Sequence, residues 1–377
     1  MEPLAPHEKV FVDSFFAEDE YHGKIGCHEC HGGDPNDPDW KTAHKGVIKD
    51  PSFPDPSNTC GSCHDDITRH YKSSLHINLG PFKKIIDKRS SFDKTVHSKV
   101  DDARKSHCNS CHSSCGQCHI SRPESVGGGL LDGHVFQKSP PMNLVCTACH
   151  GSRIKNEYFG ENKGMPPDIH KEKYFKCNKC HKADEMHGDG KDYANRYEVE
   201  NGPKCLNCHL NIYDSKSINA KQHILHKDRV SCHVCHSVKY KNCYGCHVGE
   251  DKQGIKYFKT RRSTIDFKIG LNPFLGTKRP EKFVVVRHIP VDQGTFDFYV
   301  DNGLANFDRL PTWKPATPHN IRRKTPQNTT CNSCHGNTDL FLLEKDVEQA
   351  YKKANKDVIV SPEMIPKRID KYRLSDK

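Results

Sequence analysis

A mostly irregular chain with short α-helices, wrapped around bound groups rather than around a side-chain core, is the fold class this sequence predicts. Three observations predict it. Only 34% of the 377 residues are apolar and the mean hydropathy is −0.83, too little to fill the interior of a domain of this length. From Gly32 to Thr59 the composition turns to Gly, Asp, Pro and Asn, which reads as loop. All twenty cysteines fall in ten CxxCH units, starting at Cys27, Cys60, Cys108, Cys115, Cys146, Cys177, Cys205, Cys232, Cys243 and Cys331, with no thiol left over.

CxxCH is the attachment signal for c-type haem. Two thiols form thioethers with the vinyl groups of one porphyrin, and the His beside the second thiol ligates the iron. A disulfide framework has no reason to place a His after every second Cys, and a zinc ribbon does not need one. Ten covalently bound haems c are therefore expected. Their thioethers would come from Cys27 and Cys30, Cys60 and Cys63, Cys108 and Cys111, Cys115 and Cys118, Cys146 and Cys149, Cys177 and Cys180, Cys205 and Cys208, Cys232 and Cys235, Cys243 and Cys246, and Cys331 and Cys334. The proximal ligands would be His31, His64, His112, His119, His150, His181, His209, His236, His247 and His335. With roughly one haem per 38 residues, the porphyrins supply the missing core.

The densest stretch, Cys108–His119, holds two units with only Ser113 and Ser114 between them, and six residues separate the eighth and ninth units. Haems fixed this close give an electron a short tunnelling step. Of 26 His, ten belong to motifs, so sixteen remain for ten distal positions. Every iron can then be bis-His, six-coordinate and low-spin, closed to nitrite, hydroxylamine or oxygen, which favours electron transfer over catalysis. No catalytic residue is assigned. His134, His170, His226 and His319 lie six to twelve residues ahead of a motif and are the first distal candidates. His22, His44, His76, His97, His187 and His288 complete the set, with His7, His70 and His223 as substitutes. His28 and His233 sit inside motifs, too close to reach their own iron, and are read as propionate or supporting partners.

Along the chain, residues 7–20 predict an amphipathic helix, with Phe11 above Phe15 and Val12 above Phe16. Residues 32–59 read as a loop whose carboxylates do not follow the DxDxDG calcium pattern. Asp65–His76 reads as one helix, and Gly127, Gly128 and Gly129 as a turn. Val248–Thr330 contains no motif. Within it Phe283–Arg287 is a β-branched run, Phe296, Phe298 and Val300 alternate with more polar residues, and Asp292-Gln293-Gly294 supplies turn chemistry between them. A small β-hairpin or sheet is expected in 280–302. Leu343, Val347, Ala350, Tyr351 and Ala354 predict a C-terminal helix stopping at Asn355. The organisation expected is a nine-haem segment at 1–247, a haem-free insert at 248–330, and the tenth haem with its helix and tail at 331–377, all forming one continuous haem-packed unit.

The formal charge of +10 would ordinarily suggest nucleic acid or an anionic surface. A ferric haem c with both propionates ionised carries about −1, so ten bring the oxidised protein to about neutral. The basic excess is read as propionate compensation, and no nucleic acid is expected as a partner. Runs such as Lys259, Arg261 and Arg262, or Arg322, Arg323 and Lys324, take the same reading, with docking as the alternative. No apolar run is long enough to cross a bilayer. Haem is attached to CxxCH outside the cytoplasmic membrane, so an extracellular or cell-surface protein is expected, or a periplasmic one, with its export leader absent from this numbering.

Residues 63–76, CHDDITRHYKSSLH, resemble a segment of multihaem cytochromes of the hydroxylamine-oxidoreductase and tetrathionate-reductase kind, which implies that a later His ligates another haem. Motif density, close motif pairs and all-His ligation between His22 and His335 resemble multihaem c-type cytochromes of extracellular electron transfer, including those that polymerise into filaments, or nanowires. That resemblance implies a homo-oligomer passing electrons to other cytochromes and to external acceptors such as metal oxides, with His7 or His22 ligating a haem of the next subunit. A monomeric periplasmic or cell-surface decahaem carrier is the second reading, and a reductase of nitrogen or sulfur oxyanions the third. Multihaem nitrite reductases mark their catalytic haem with CxxCK, which does not occur here.

Overall fold

The computed structural model describes residues 4–109 and 113–369. Cys111 and His112 of the third unit lie outside the described residues. Eight of the other nine CxxCH units close a single helical turn. The turn is α-helical at Cys27–His31, Cys115–His119, Cys232–His236, Cys146–Cys149 and Cys177–Cys180. It is 3-10 at Cys60–Ser62, Cys205–Asn207 and Cys331–Ser333. Where the His falls outside the helix its amide still donates to the carbonyl of the first Cys, as from His64 to Cys60 (2.8 Å) and from His335 to Cys331 (2.9 Å). Positions i, i+3 and i+4 share one side of such a turn, which brings two thiols and an imidazole to one surface. The ninth unit differs, because Cys246 already opens a β-strand.

The described chain is many short helices, three small sheets and much irregular backbone. It divides into two units. The first comprises residues 1–82, 108–151 and 176–203 and carries six of the ten motifs. Prolines aside, its buried apolar side chains among the described residues are Tyr71, Leu131 and Val145, far too few to hold six motif turns together. Polar contacts do much of that work. In the loop 32–59, Asp50 accepts from Ser114 (2.5 Å), and Ser52 accepts from the Gly116 amide (2.8 Å), fixing the start of the fourth motif helix.

Residues 7–20 do not form the helix expected of them, which shrinks to Phe15–Glu18. Backbone competition is the reason. The Leu130 amide donates to Lys9 (3.1 Å) and the Asp13 amide to Gly133 (2.9 Å), so 9–13 runs beside 129–133. A Cβ on Gly133, at φ +67, would lie 2.3 Å from Asp13, so only glycine allows the approach. Val10, Phe11, Val12 and Phe15 are left exposed. The single helix expected over Asp65–His76 breaks into Asp65–Thr68, Tyr71–Ser73 and Leu75–Asn78. Ser74 breaks it: its hydroxyl donates to the Met186 carbonyl (2.6 Å) and accepts from the His76 amide, capping a new turn.

The second unit comprises 83–107, 152–175 and 204–377 and has a side-chain core. Its strands are β1 (Tyr240–Lys241), β2 (Cys246–Glu250), β3 (Lys256–Thr260), β4 (Ile265–Asp266), β5 (Lys268–Leu271), β6 (Phe283–His288) and β7 (Trp313–Pro315). β5, β6 and β7 form one antiparallel sheet, β2 pairs with β3, and β1 with β4. β6 is buried on both faces. Val285 packs with Tyr240, Phe267, Ile269 and Val360, while Val284 and Val286 face Trp313, Leu342, Val347 and Val358. Val100 and Ala103, one turn apart on the helix Lys94–Cys108, pack on Val248, Phe296 and Leu304.

Two sequence expectations are corrected here. β6 does not pair with 296–300, which forms turns; its neighbours are β5 and β7. Phe296 is buried among Val100 and Leu304, and the Tyr299 and Val300 amides bond back to Phe296, so the alternation reflects one anchor and not a strand. The C-terminal helix is replaced by 3-10 turns at Glu344–Asp346 and Gln349–Tyr351 and a short helix Lys352–Asn355. Val347 and Tyr351 are drawn onto the sheet, and the buried Asn355 side chain accepts from the Trp313 amide (2.9 Å).

Arg287 of β6 forms a buried ion pair with Glu157, whose other oxygen accepts the His319 amide (2.9 Å). Burial pushes the Glu157 carboxyl up and Arg287 pulls it down. Removing one partner of a buried pair strands the other charge. Glu157→Ala is therefore expected to destabilise the fold by about 3–5 kcal/mol, measured by guanidinium unfolding followed by far-ultraviolet circular dichroism; a loss below about 1 kcal/mol, the worth of a surface pair, would refute the assignment.

Candidate haem-ligand sites

Among the described residues, seven pairs of imidazoles face one another with ring centres 6.0–6.4 Å apart. In the first unit of the fold they are His31 with His134, His64 with His22, His119 with His187, and His150 with His76. In the second they are His209 with His170, His236 with His223, and His335 with His226. Every pair joins one motif His to one non-motif His. Two imidazoles on opposite sides of one iron, with metal–nitrogen bonds of about 2 Å and ring centres about 1 Å further out, stand about 6 Å apart. The spacing fits that ligation, with ring planes from nearly parallel (16°, His223 and His236) to nearly perpendicular (89°, His226 and His335).

To ligate through Nε2, an imidazole needs its Nδ1 proton engaged elsewhere. His31 donates from Nδ1 to the Ile48 carbonyl (2.7 Å), His119 to Gln137 (2.6 Å), His236 to Arg322 (3.1 Å) and His335 to Lys367 (3.2 Å). His223 and His226 donate to carbonyls one turn back, at Asn219 (3.0 Å) and Gln222 (2.7 Å). Carboxylates serve His170, through Asp168 (2.8 Å), and His181, through Glu185 (2.9 Å). Burial works to raise the Asp168 carboxyl, but hydrogen bonds from His170 and the Ile321 amide outweigh it and hold it below the usual range.

The remaining candidates are placed differently. His44 donates from Nδ1 to Trp40 (2.7 Å), with no imidazole opposite among the described residues. His97 lies 3.6 Å from Asp87, and His288 stacks on Trp313 at 4.8 Å. His319 donates from Nδ1 to the Thr317 carbonyl (2.9 Å). His7 and His70 are exposed. His107 has its Nε2 on the Tyr299 hydroxyl (2.5 Å). His28 lies 3.1 Å from Glu29 of its own motif. His223, held only as a substitute on sequence grounds, faces His236, and its sole signal was the i, i+3 spacing to His226. The carboxylates Asp168 and Glu185 were missed, although each lies two or four residues from its imidazole.

Sulfurs of different motifs are also brought together. Cys60 and Cys115, Cys146 and Cys177, and Cys205 and Cys232 lie close enough to influence one another, each the first Cys of its motif. As free thiols, Cys60 would be lowered to about 6 and Cys115 raised by their proximity; as thioethers they carry no proton. Cys30 lies within electrostatic reach of Cys60 and Cys63, Cys118 of Cys146 and Cys149, and Cys235 of Cys334. Among the described residues no cysteine is in a disulfide, and no three of His, Cys, Asp and Glu converge as a bare metal ion would require.

Motif turns that present two sulfurs and an imidazole, with a second imidazole across, define a c-type cytochrome of the multihaem kind. Residues 59–151 match the family described as cytochrome c554 and c-prime. No curated protein and no solved structure matches the chain. The match supports covalently bound haem c and electron transfer. No helix among the described residues is long and apolar enough to cross a membrane.

Asp168 is 2% exposed and accepts from the His170 amide, the His170 ring and the Ile321 amide. Asp168→Ala strands these donors, at about 1–3 kcal/mol each where they stay buried. A stability loss of at least about 2 kcal/mol is expected in chemical unfolding, and an unchanged midpoint would show that Asp168 anchors nothing.

Proposed function

We propose that this protein is a decahaem electron conduit in which paired imidazoles saturate the irons. The observation that carries the reading is the set of seven mixed His pairs at 6.0–6.4 Å. When bound, haem supplies a reversible one-electron couple whose potential follows axial ligation and burial. The chain's own part is orientation: motif turns aim the proximal rings, and carbonyls or carboxylates on Nδ1 fix the tautomer that leaves Nε2 free. The sulfur contacts suggest the sequence of sites, motifs one, two, four, five and six in the first unit and seven, eight and ten in the second.

The assembly proposed is an extracellular filament delivering electrons to external acceptors such as metal oxides. Its support is the N-terminal segment, where Val10, Phe11, Val12 and Phe15 are exposed in a row beside the exposed His7. With His22 set opposite His64, His7 is the ligand proposed for a neighbouring subunit's haem. Negative-stain images of native material should show filaments, and particles of single-chain size alone would leave the monomeric carrier.

Intact mass should exceed that of the bare chain by ten haems, and reduction should give low-spin bands; a bare mass or absent bands would end the electron-transfer reading. His134→Ala is expected to convert one haem, bound at His31, from low-spin to high-spin in electron paramagnetic resonance. An unchanged spectrum would break that pairing.

A further inference from the structure

The groups that receive an Nδ1 proton are not chemically equal. At His31, His119, His223, His226, His236 and His335 the acceptor is a neutral backbone carbonyl. At His170 and His181 it is a carboxylate, Asp168 Oδ1 at 2.8 Å and Glu185 Oε2 at 2.9 Å. The two carboxylates differ in turn, since the Glu185 side chain is 19% exposed and Asp168 only 2%. The contacts of Asp168 are those of an ionised group. Its Oδ1 accepts from the His170 amide (2.8 Å) as well as from the ring, and its Oδ2 accepts from the Ile321 amide (2.7 Å). Burial leaves little water to screen that charge. The ring it holds is the one that faces His209 across 6.3 Å, so a full negative charge stands behind one axial ligand of the seventh motif's site.

We propose that Asp168 is a positioning residue which, acting through His170, holds the haem of the Cys205–His209 motif at a lower reduction potential than the haems whose imidazoles end on carbonyls. The proposal rests on the conduit reading above and keeps the irons saturated. A carboxylate that draws on the Nδ1 proton gives the ring imidazolate character and makes Nε2 a stronger donor, and its charge favours ferric over ferrous iron. A neutral carbonyl does the first weakly and the second not at all. One electron enters or leaves, and the Nδ1 proton stays between His170 and Asp168 in both states. Glu185 acts on His181 in the same direction but less, because water screens it. The conduit is then uneven, with the His209 site among the first to lose its electron on oxidation and among the last to regain it.

Potentiometric titration of the holoprotein, followed through its low-spin absorption bands, is the test, with Asp168→Asn beside the parent. Asparagine removes the charge and keeps an oxygen for His170. One haem in ten, at the low end of the parent's curve, is expected to rise by about tenfold in its ferrous-to-ferric ratio at fixed potential, about 59 mV for a one-electron couple, while staying low-spin in electron paramagnetic resonance. Glu185→Gln should move a different haem upward by less. In the parent itself, one or two ferric haems should place their near-infrared charge-transfer band at shorter wavelength than the rest, as a stronger axial donor requires and a merely structural carboxylate does not. Unchanged midpoints in a low-spin Asp168→Asn protein would overturn the inference and leave the conduit intact. Where Asp168→Asn turns a haem high-spin or does not fold, the parent's band decides: a displaced component sustains the inference, and ten haems alike overturn it. Protein without haem would instead defeat the conduit reading itself.

Discussion

An imidazole that offers Nε2 to an iron must give its Nδ1 proton to something else, and much of this chain's irregular backbone is bent to accept it. For the motif imidazoles the acceptors are mostly distant along the chain. The Ile48 carbonyl serving His31 is 17 residues away, the Gln137 carbonyl serving His119 is 18, and the Arg322 carbonyl serving His236 is 86. A carbonyl spent in a helix or sheet is not available for this, which is a physical reason for 3-10 turns and open loops where a different protein would have regular structure. Segment 321–328 shows the cost and the compensation. It lends the Arg322 carbonyl to His236, and it also donates from Thr325 and Asn328 to the Cys235 carbonyl and from Gln327 to Val234 and Ser237.

The two units solve stability differently. The second has a three-stranded sheet with Val285 and Val286 fully buried and the Arg287–Glu157 pair beneath it. At about 25 cal/mol per Å² of apolar surface, its clusters can hold four motifs by ordinary hydrophobic packing. Among its described residues the first unit has no comparable cluster, and it carries six motifs. Its stability must rest more on covalently bound porphyrin and on polar ties such as Asp50 to Ser114 and Ser74 to Met186.

The motif count was legible in the sequence because thioether attachment needs a fixed local spacing. So was the buried strand at 283–288, a β-branched run, and the turn at Gly127–Gly129, each with φ above +60°. The partner of each iron was not legible. Of the four His shortly ahead of a motif, His134, ahead of Cys146, faces His31, and His226, ahead of Cys232, faces His335, while His319, ahead of Cys331, is engaged with the Thr317 carbonyl. Distal pairing is a long-range contact, and spacing along the chain carries no information about it. The helices expected at 7–20 and 343–354 failed for a related reason. Their periodicity was real, but backbone bonds to Gly133 in one case and packing on the sheet in the other competed for the same residues.

The contrast between a helical turn and a strand explains why one motif stands apart. In a turn, the second Cys and the following His lie about 100° apart around the axis, so both can reach one macrocycle from the same side. In β2, Cys246 and His247 are successive strand residues and leave on opposite faces. The strand is held in place by its next residue, Val248, 3% exposed and packed on Val100, Phe296 and Leu304. Coiling Cys243–His247 into a turn like the others would draw Val248 out of that cluster, at about 1.5–3 kcal/mol for a buried aliphatic side chain, and would strip the β2–β3 ladder. The same CxxCH letters are thus under different constraint here: elsewhere the motif shapes its surroundings, and at Cys243 a neighbouring core shapes the motif.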